Sequence, residues 1–431
     1  MFFLLEPNSN KSKPHFRHFH PKNLFYSMKK WGSKSIRKKG ISFGWNELYF
    51  LLEKVYIILY KINFMIRRKI LFIANDMTIG GAERIYLILS KYLDKEKYNL
   101  RFVVIGEKGE FYKELVKNAK VDLLNIFGRP LSNSQIIEAI IKIVDICKEF
   151  KPDIIQGQLW TSNTVSRIVG CITSTPVIVV EQNVYNDRSK ERLLVDKILS
   201  NYTHKIVAVS EAVKDFIKTK QKIKEDKVII IQNSIDTKKF ENIKSKYLRT
   251  ELNIKDRTKI IVNVAMLGRT KNQFMIIESL KNIRDEDFVL LLVGDGPDKE
   301  ELMKLTEKYR INNKVKFLGW RDDVPQILIE SDIFVLPSSQ EGLSLSLMEA
   351  MYMGKICLAS EIPSNKILIK EGVNGFLFPV KDVKKLSEVL KKVINENSIF
   401  NKIKDNAKRT ITERFSTKTM IKSYEKVYDN I

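Results

Sequence analysis

From Lys69 onward, short continuous apolar runs alternate with stretches of helical hydrophobic periodicity. The first run is KILFIAND; a Gly-Gly turn and a helical pattern over 82–93 follow it. A continuous apolar run of this length is typical of a parallel strand buried on both faces. Because parallel strands need long crossover connections, the alternation predicts β-α-β units in a doubly wound α/β sheet.

The alternation occurs in two series. The apolar runs of the first are KILFIAND, RFVVIG, VDLLNI, DIIQGQ, PVIVVEQ, KIVAVS and KVIIIQNSID. Those of the second are KIIVNVAML, FVLLLVGDG, VKFLGW, DIFVLPS, KICLAS and GFLFP. A linker over 236–256 separates them, and helical stretches over about 382–413 and 416–430 close the chain. A length of 431 residues exceeds one compact core. We therefore expect a basic extension over 1–68, two Rossmann-like domains over 69–240 and 241–413 that face a central cleft, and a C-terminal helix over 414–431.

The chain is strongly basic, with a formal net charge of +24. About half of this excess lies in residues 1–69. A basic surface favours an anionic partner such as a lipid surface, a phosphorylated substrate or nucleic acid, although lysine-rich composition alone can produce it. Charge is the sole indication of nucleic acid, so we predict no nucleic-acid partner.

One segment of the extension, residues 45–66, has the pattern of an amphipathic helix. Glu47, Lys54 and Lys61 recur every seven residues among apolar and aromatic positions, and basic residues follow. This pattern favours an interfacial helix on an anionic membrane. Docking on the protein's own body is one alternative. A transmembrane span is another, but it would put Lys54 near mid-bilayer at about 2.5–3.5 kcal/mol. Met65 is an alternative start of translation.

Cysteine usage indicates a reducing compartment. Cys147, Cys171 and Cys357 lie far apart without C-x-x-C spacing, so neither a disulfide framework nor a zinc site is predicted. No secretory signal pattern is evident. A cytoplasmic location follows.

Gly80 and Gly81 stand between the first strand and the first helix. Paired glycines there let backbone N–H groups approach an anion, and the helix dipole adds to the attraction. An ordinary turn is the alternative. The third glycine of a dinucleotide fingerprint is missing, so a dehydrogenase is poorly supported.

Arg269 and Lys271 follow the first strand of the second series. At the carboxyl end of a strand, aimed into a cleft, this pair suits a diphosphate. A solvated basic turn is the alternative.

The stretch SSQEGLSLSLMEAMYMGK follows the run DIFVLPS. We expect a helix from near Leu343 or Ser344, capped by Ser344 or Ser346. The free N–H groups of Gly342, Leu343 and Ser344 would form an anion site.

Glu341 precedes this helix and Glu349 lies about 8 Å along it. A nucleotide-sugar fits the spacing, with phosphate at the helix N-terminus and one carboxylate each for sugar and ribose hydroxyls. The alternative makes Glu341 a capping acid and Glu349 a solvated helix residue.

These motifs occur in the order of a known family. The motifs are Gly80-Gly81-Ala82-Glu83, Arg269 with Lys271, and Glu341-x7-Glu349. With these motifs in this order, residues 70–430 resemble the retaining glycosyltransferases of family 4 (glycosyl transferases group 1). Further matches are Val209-Ser210-Glu211, Gln232-Asn233-Ser234-Ile235-Asp236, Gly294-Asp295-Gly296-Pro297 and Asn374-Gly375-Phe376. The resemblance implies a GT-B fold whose final helix returns to the first domain.

The resemblance also implies roles. Glu341 would bind the transferred sugar near the reacting centre as the catalytic position, and Glu349 would hold the ribose. Arg269 and Lys271 would neutralise the leaving diphosphate, for which no metal is required. The Gly80-Gly81 loop would close over phosphates or acceptor, and the base would meet the backbone near Trp320 and Arg321.

Three positions depart from the family pattern. Met266 stands where members often carry arginine, a role that Arg269 is expected to take from the adjacent turn. Gln158 and Gln182 stand where relatives often carry histidines, and glutamine cannot shuttle a proton. No D-x-D motif follows a strand, so a metal-dependent GT-A enzyme is not expected.

The resemblance therefore predicts hexosyl transfer with retention from a UDP- or GDP-linked donor, without a cofactor. The acceptor would be a lipid-linked or oligosaccharide glycan in cell-surface polysaccharide biosynthesis, at the inner face of the membrane. A non-catalytic nucleotide-sugar-binding component and a GT-B-fold sugar-nucleotide epimerase remain alternatives. The residues do not choose the base, the donor sugar, the acceptor or the oligomeric state.

Overall fold

The computed structural model describes residues 54, 67–128, 131–185, 188–244, 248–396 and 400–431. The chain divides into two compact units, Met1–Arg67 and Arg68–Ile431, and every described strand lies in the second. The predicted basic extension and the helix predicted over 45–66 lie, apart from Lys54, Arg67 and Arg68, outside the described residues.

The first half of the second unit is a seven-stranded sheet. Its strands are β1 (Arg68–Ala74), β2 (Tyr98–Val104), β3 (Lys120–Leu123), β4 (Ile154–Gln158), β5 (Val177–Glu181), β6 (Lys205–Ala208) and β7 (Val228–Ile230). Between them run α1 (Gly81–Tyr92), α2 (Tyr112–Leu115), α3 (Asn133–Phe150), α4 (Trp160–Thr173), α5 (Lys190–Leu199) and α6 (Glu211–Thr219). The order is β3-β2-β1-β4-β5-β6-β7, with every pairing parallel.

The second half is a six-stranded sheet. Its strands are β8 (Lys259–Val264), β9 (Phe288–Val293), β10 (Val315–Gly319), β11 (Ile333–Leu336), β12 (Ile356–Ser360) and β13 (Phe376–Phe378). Its helices are α8 (Gln273–Lys281), α9 (Lys299–Lys308), α10 (Val324–Glu330), α11 (Leu345–Tyr352), α12 (Pro363–Leu368), α13 (Val383–Asn395) and α14 (Asn401–Arg414). The parallel order is β10-β9-β8-β11-β12-β13. The predicted doubly wound α/β fold is confirmed.

Burial explains why the apolar runs became strands. In β1, Phe72 stacks on Phe102 of the neighbouring β2, with ring centroids 4.5 Å apart, and meets Tyr86 of α1 edge-on. All six residues of β9 are buried. Strands covered by helices on both faces need such continuous apolar sequence, and this is why the runs were recognisable.

Each sheet reverses its strand order beside its first strand. β1 pairs with β2 on one side and β4 on the other, and β8 lies likewise between β9 and β11. In open α/β sheets ligands bind in the crevice beyond the carboxyl ends of strands at such a reversal. The loops at these positions carry the Gly80-Gly81 turn and the residues around Lys271 and Glu341.

Two predicted elements differ in detail. The helical stretch predicted over 382–413 is two helices, α13 and α14. Phe400, immediately before α14, is buried and meets the ring of Phe376 at 5.8 Å, so the start of α14 packs against β13. The linker predicted over 236–256 contains a short helix, α7 (Leu248–Glu251), and a 3-10 turn at Thr237–Phe240.

The last helix, α15 (Thr417–Asp429), packs on the first half. It contacts α1, and its Tyr424 and Tyr428 are fully buried. The Tyr428 hydroxyl donates to Gln156 Oε1 of β4 at 2.7 Å, and Tyr98 donates to Asp429 Oδ1 at 2.8 Å. The chain therefore ends by joining the two halves.

Candidate functional site

Two cavities lie where loops of the two halves face each other. The larger, about 650 Å³, is the glycine-loop cavity; Gly80, Gly81, Lys271 and the segment from Glu341 to Ser346 line it. The second, about 580 Å³, is lined by Glu349 and is called the Glu349 cavity. The two adjoin, because they share the lining residues Ile79, Arg84, Glu110, Trp320, Arg321, Val324 and Leu345.

The loop after β11 leads into helix α11 at this cleft. The helix begins at Leu345, slightly later than predicted, and Ser344 is its N-cap: the Ser344 hydroxyl accepts from the Leu347 N–H at 3.3 Å. Ser346 lines the cavity but does not cap. The first free helical N–H groups are therefore those of Leu345 and Ser346, just beyond the expected positions. Gly342, Leu343 and Ser344 are buried and line the glycine-loop cavity.

Both predicted glutamates are buried. Glu341 is 8% exposed and Glu349, the fifth residue of α11, is 5% exposed. A buried carboxylate is costly unless a cation or hydrogen-bond donors compensate it. Neither residue is a solvated surface acid, so the alternative that made Glu349 a solvated helix residue is wrong.

Each glutamate is bonded to a cation. Lys271 Nζ donates to Glu341 Oε1 at 2.7 Å, within the second half. Arg84 of α1 crosses from the first half, and its Nη1 donates to Glu349 Oε1. The second oxygen of Glu349, Oε2, is buried and has no hydrogen-bond partner among the described residues.

Arg269 is not beside these residues. Its guanidinium bonds to Glu301 at 2.5 Å, lies 3.7 Å from Asp298 and covers the ring of Phe274 at 4.8 Å. Its side chain is 69% exposed, and it is not among the described residues that line either cavity. The expectation that Arg269 points into the cleft is wrong in this structure, because the acids of α9 hold it outside. Met266 lines the glycine-loop cavity instead.

The two halves touch at a glycine. A Cβ added at Gly342 would lie 1.9 Å from the carbonyl oxygen of Gln182, in the loop after β5. Only a residue without a side chain permits this approach of backbone to backbone. Gly81 also faces the other half, but with more room, since its Cβ would make only an ordinary contact of 3.7 Å with the Leu345 side chain. The cleft is therefore closed at the Gly342 loop.

Trp320 and Arg321 line both cavities. Trp320 is half-exposed, so its ring is available to a ligand. The Arg321 side chain is already bonded to acids, since it donates to Asp323 and to Glu251, both at 2.7 Å. The bond to Asp323 and then the bond to Glu251 raise the pKa of Arg321 above its ordinary value. The backbone near these residues is the part left to meet a base.

The two glutamines differ in position. Gln182 lines the glycine-loop cavity, and its Oε1 accepts from Asn233 Nδ2 at 2.8 Å. Gln158 is buried, and its Nε2 donates to the Ala82 carbonyl, so it stabilises the first turn of α1. A cleft role therefore fits Gln182, and a supporting role fits Gln158.

Some residues at the site were not predicted. Arg84 could have been suspected from its place one turn after Gly81, on a helix that starts at the cleft. A buried ion network beneath the loop after β5 had no sequence signal. In it Arg188 bonds to Asp196 at 2.6 Å and Glu181 at 3.1 Å, and Arg167 bonds to Asp196 at 3.1 Å. This network pairs Arg188 with Glu181, the last residue of β5, which directly precedes Gln182.

Two features are absent from the described residues. No described helix combines the length and the apolar character needed to cross a bilayer. No cluster of three or more histidine, cysteine, aspartate or glutamate side chains with metal-binding geometry occurs within the described ranges.

Comparison with known proteins places the chain among glycosyltransferases. The family model Glycosyltransferase Family 4 matches residues 79–239, and the model Glycosyl transferases group 1 matches residues 245–410. The two matches follow the two sheets and together span most of the chain.

Two curated relatives match over nearly their whole length. The UDP-Gal:alpha-D-GlcNAc-diphosphoundecaprenol alpha-1,3-galactosyltransferase of Escherichia coli is 26% identical over 369 residues, which cover 81% of this chain and 93% of that protein. The N,N'-diacetylbacillosaminyl-diphospho-undecaprenol alpha-1,3-N-acetylgalactosaminyltransferase of Campylobacter jejuni is 24% identical over 355 residues, covering 78% and 93%.

Solved structures share the fold. Anabaena HepE in complex with UDP and glucose superposes with a TM-score of 0.77 at 22% identity, and the match covers 85% of this chain and all of that one. With both family models matched in order on two facing sheets, the chain belongs to the family 4, group 1 glycosyltransferases and has the GT-B fold.

Proposed function

We propose that this protein is a retaining, metal-independent hexosyltransferase that uses a nucleotide-sugar donor. The acceptor is a lipid-linked or oligosaccharide glycan of a cell-surface polysaccharide. The observation that carries the proposal is the pair of buried glutamates, Glu341 and Glu349, each bonded to a cation at two adjoining cavities. The E. coli relative is named for UDP-Gal and a diphosphoundecaprenol acceptor, and HepE was solved with UDP, which supports this substrate class.

The cavities suggest how the donor lies. The base and ribose occupy the Glu349 cavity, where Trp320 offers a ring and Glu349 Oε2 offers an unused acceptor. The diphosphate passes toward Lys271 and the N–H groups at the start of α11. The transferred sugar then lies beside Glu341, whose remaining lone pairs can accept from its hydroxyls.

The chemistry we propose follows from these groups. The acceptor hydroxyl attacks the anomeric carbon on the face from which the diphosphate departs. The bond between that carbon and the phosphate oxygen breaks, and the departing phosphate takes the acceptor's proton. Lys271 and the helix N-terminus stabilise the charge that develops on the diphosphate, which is the role a metal ion has in other enzymes. Because Arg269 points outward, Lys271 is the predicted cation that serves this step.

A panel of UDP- and GDP-linked sugars tests the donor. The true donor is expected to raise the unfolding temperature of the full-length protein, since a ligand at 100 times its Kd adds about 2.7 kcal/mol. Transfer to a diphospholipid acceptor analogue should persist in EDTA and give a product with the donor's anomeric configuration.

Other outcomes contradict parts of the proposal. An inverted product contradicts retention, and loss of transfer in EDTA contradicts metal independence. Binding without any turnover favours a nucleotide-sugar-binding component. Release of an epimerised sugar without an acceptor favours the epimerase.

We further propose that the protein acts at the cytoplasmic face of the membrane, held there by residues 45–66. A lipid-linked acceptor and the basic extension support this location. A shortened protein that starts at Met65 is expected to leave anionic vesicles in a flotation assay while it keeps transfer to a water-soluble acceptor. If it still floats with the vesicles, the membrane contact lies in residues 65–431.

A further inference from the structure

Arg84 joins the two halves at the donor site. It stands on the first turn of α1, in the first half, and its Nη1 donates to Glu349 Oε1 on α11 of the second half. It also lines both the glycine-loop cavity and the Glu349 cavity. Its guanidinium therefore lies where the two cavities meet.

The bond from Arg84 leaves one oxygen of Glu349 open. Oε2 is buried and has no hydrogen-bond partner within the described ranges. A buried acceptor without a donor is costly, so such an atom at a cavity marks where a ligand supplies the donor. The two hydroxyls of a ribose are suitable donors. Each carboxylate oxygen accepts two hydrogen bonds, so Oε1 can serve one hydroxyl and Arg84 together.

Arg84 also balances charge. A donor's diphosphate would bring negative charge close to Glu349, and an uncompensated carboxylate would oppose it. Glu341 has its cation, Lys271, on its own half. Glu349 is bonded to a cation of the opposite half, so this compensation depends on the approach of α1 to α11.

We infer that Arg84 is a positioning residue for the donor, because it orients Glu349 so that the carboxylate binds the ribose hydroxyls. Since Arg84 lies on the opposite half, this binding depends on closure of the cleft. The inference rests on the proposed function, which supplies the ribose as the ligand of Glu349. Arg84 acts through Glu349, so its removal should lower recognition of the ribose hydroxyls specifically.

The test compares nucleotides with and without the 2′-hydroxyl. Calorimetry measures binding of UDP, GDP and their 2′-deoxy forms to the full-length protein and to Arg84→Met. The unaltered protein is expected to prefer the ribose form of its nucleotide by about tenfold or more. Arg84→Met is expected to bind that form about tenfold more weakly and to keep less than about a threefold preference.

Arg249→Met is the matched control. Arg249 of α7 is about as buried as Arg84, its Nη1 donates to the Thr258 carbonyl at 3.0 Å, and it is not among the described residues that line either cavity. The same substitution removes the same charge there but should leave the ribose preference intact. Arg84→Lys keeps the positive charge but loses the planar guanidinium, so it should fall between the unaltered protein and Arg84→Met.

A cycle with Glu349→Gln separates a positioning role from general damage. If Arg84 acts through Glu349, adding Arg84→Met to Glu349→Gln should not reduce the ribose preference further. A folded Arg84→Met protein with the full preference overturns the inference and leaves the proposed function standing. Failure of the unaltered protein to bind any of the four nucleotides overturns both. Thermal unfolding of each variant identifies those that are not folded. If Arg84→Met is not folded, the ribose preference of Arg84→Lys decides in its place.

Discussion

Glu341→Gln is expected to lower the kcat of sugar transfer by at least about 10²-fold while the nucleotide still binds. Glu341 is buried at the carboxyl end of β11, where we place the transferred sugar, and it is bonded to Lys271 at 2.7 Å. The amide keeps the shape of the side chain but removes its charge. Both the grip on the sugar hydroxyls and the orientation of Lys271 toward the diphosphate should then weaken.

Initial rates with saturating donor, together with calorimetric binding of UDP and GDP, measure this effect. Glu110→Gln is the matched control, because Glu110 is an exposed carboxylate that lines both cavities from the first half. It loses the same charge in the same cleft and should retain most of its activity. Near-native turnover by Glu341→Gln would show that the sugar does not lie beside this residue.

Tyr428→Ala is expected to destabilise the folded protein by about 3–5 kcal/mol, the range for removal of a large buried aromatic side chain. Tyr428 is fully buried between α15 and the first half. Its ring meets that of Tyr98 at 5.8 Å, and its hydroxyl donates to Gln156 Oε1. The substitution leaves a cavity and removes a buried hydrogen bond at the point where the chain's end is attached.

Denaturant unfolding of the full-length protein checks this value. Tyr428→Phe keeps the ring and loses only the hydroxyl, so it should cost about 1–3 kcal/mol. Tyr202→Ala is a surface control: Tyr202 is 52% exposed, and its loss should change stability by no more than about 0.5 kcal/mol. If Tyr428→Ala resembled Tyr202→Ala, α15 would not be firmly attached to the first half.

The strands were predictable because their signal is local. Each of the thirteen described strands overlaps an apolar run recognised in the sequence, since most of them are central strands covered on both faces and such strands are apolar nearly throughout. Helix ends were less predictable. α13 and α14 formed one predicted helical stretch, because the packing of Phe400 against Phe376 of β13, immediately before α14, is a tertiary contact that no local pattern reports.

The sequence predicted which residues lie at the site, but it did not predict all of their contacts. Motif positions after strands place Gly80, Lys271, Glu341 and Glu349 at the carboxyl ends of parallel strands, and the structure brings all four to two adjoining cavities. Arg269 has the same sequence context as Lys271, yet it bonds to Glu301 outside the cleft. Which of two neighbouring cations faces the cleft depends on acids such as Glu301, 32 positions further along the chain, and no local pattern reports them.

The order of apolar runs and glycine turns was therefore enough to determine two doubly wound sheets and the strand ends at which the two cavities lie, because period and turn chemistry act over a few residues. The partners of the two glutamates depended on the tertiary structure. Arg84 and Glu349 are 265 positions apart in the chain and meet only because the halves close, with Gly342 against the backbone of Gln182. Charge pairing across a cleft depends on the relative placement of two folded sheets, which hydrophobic periodicity does not encode.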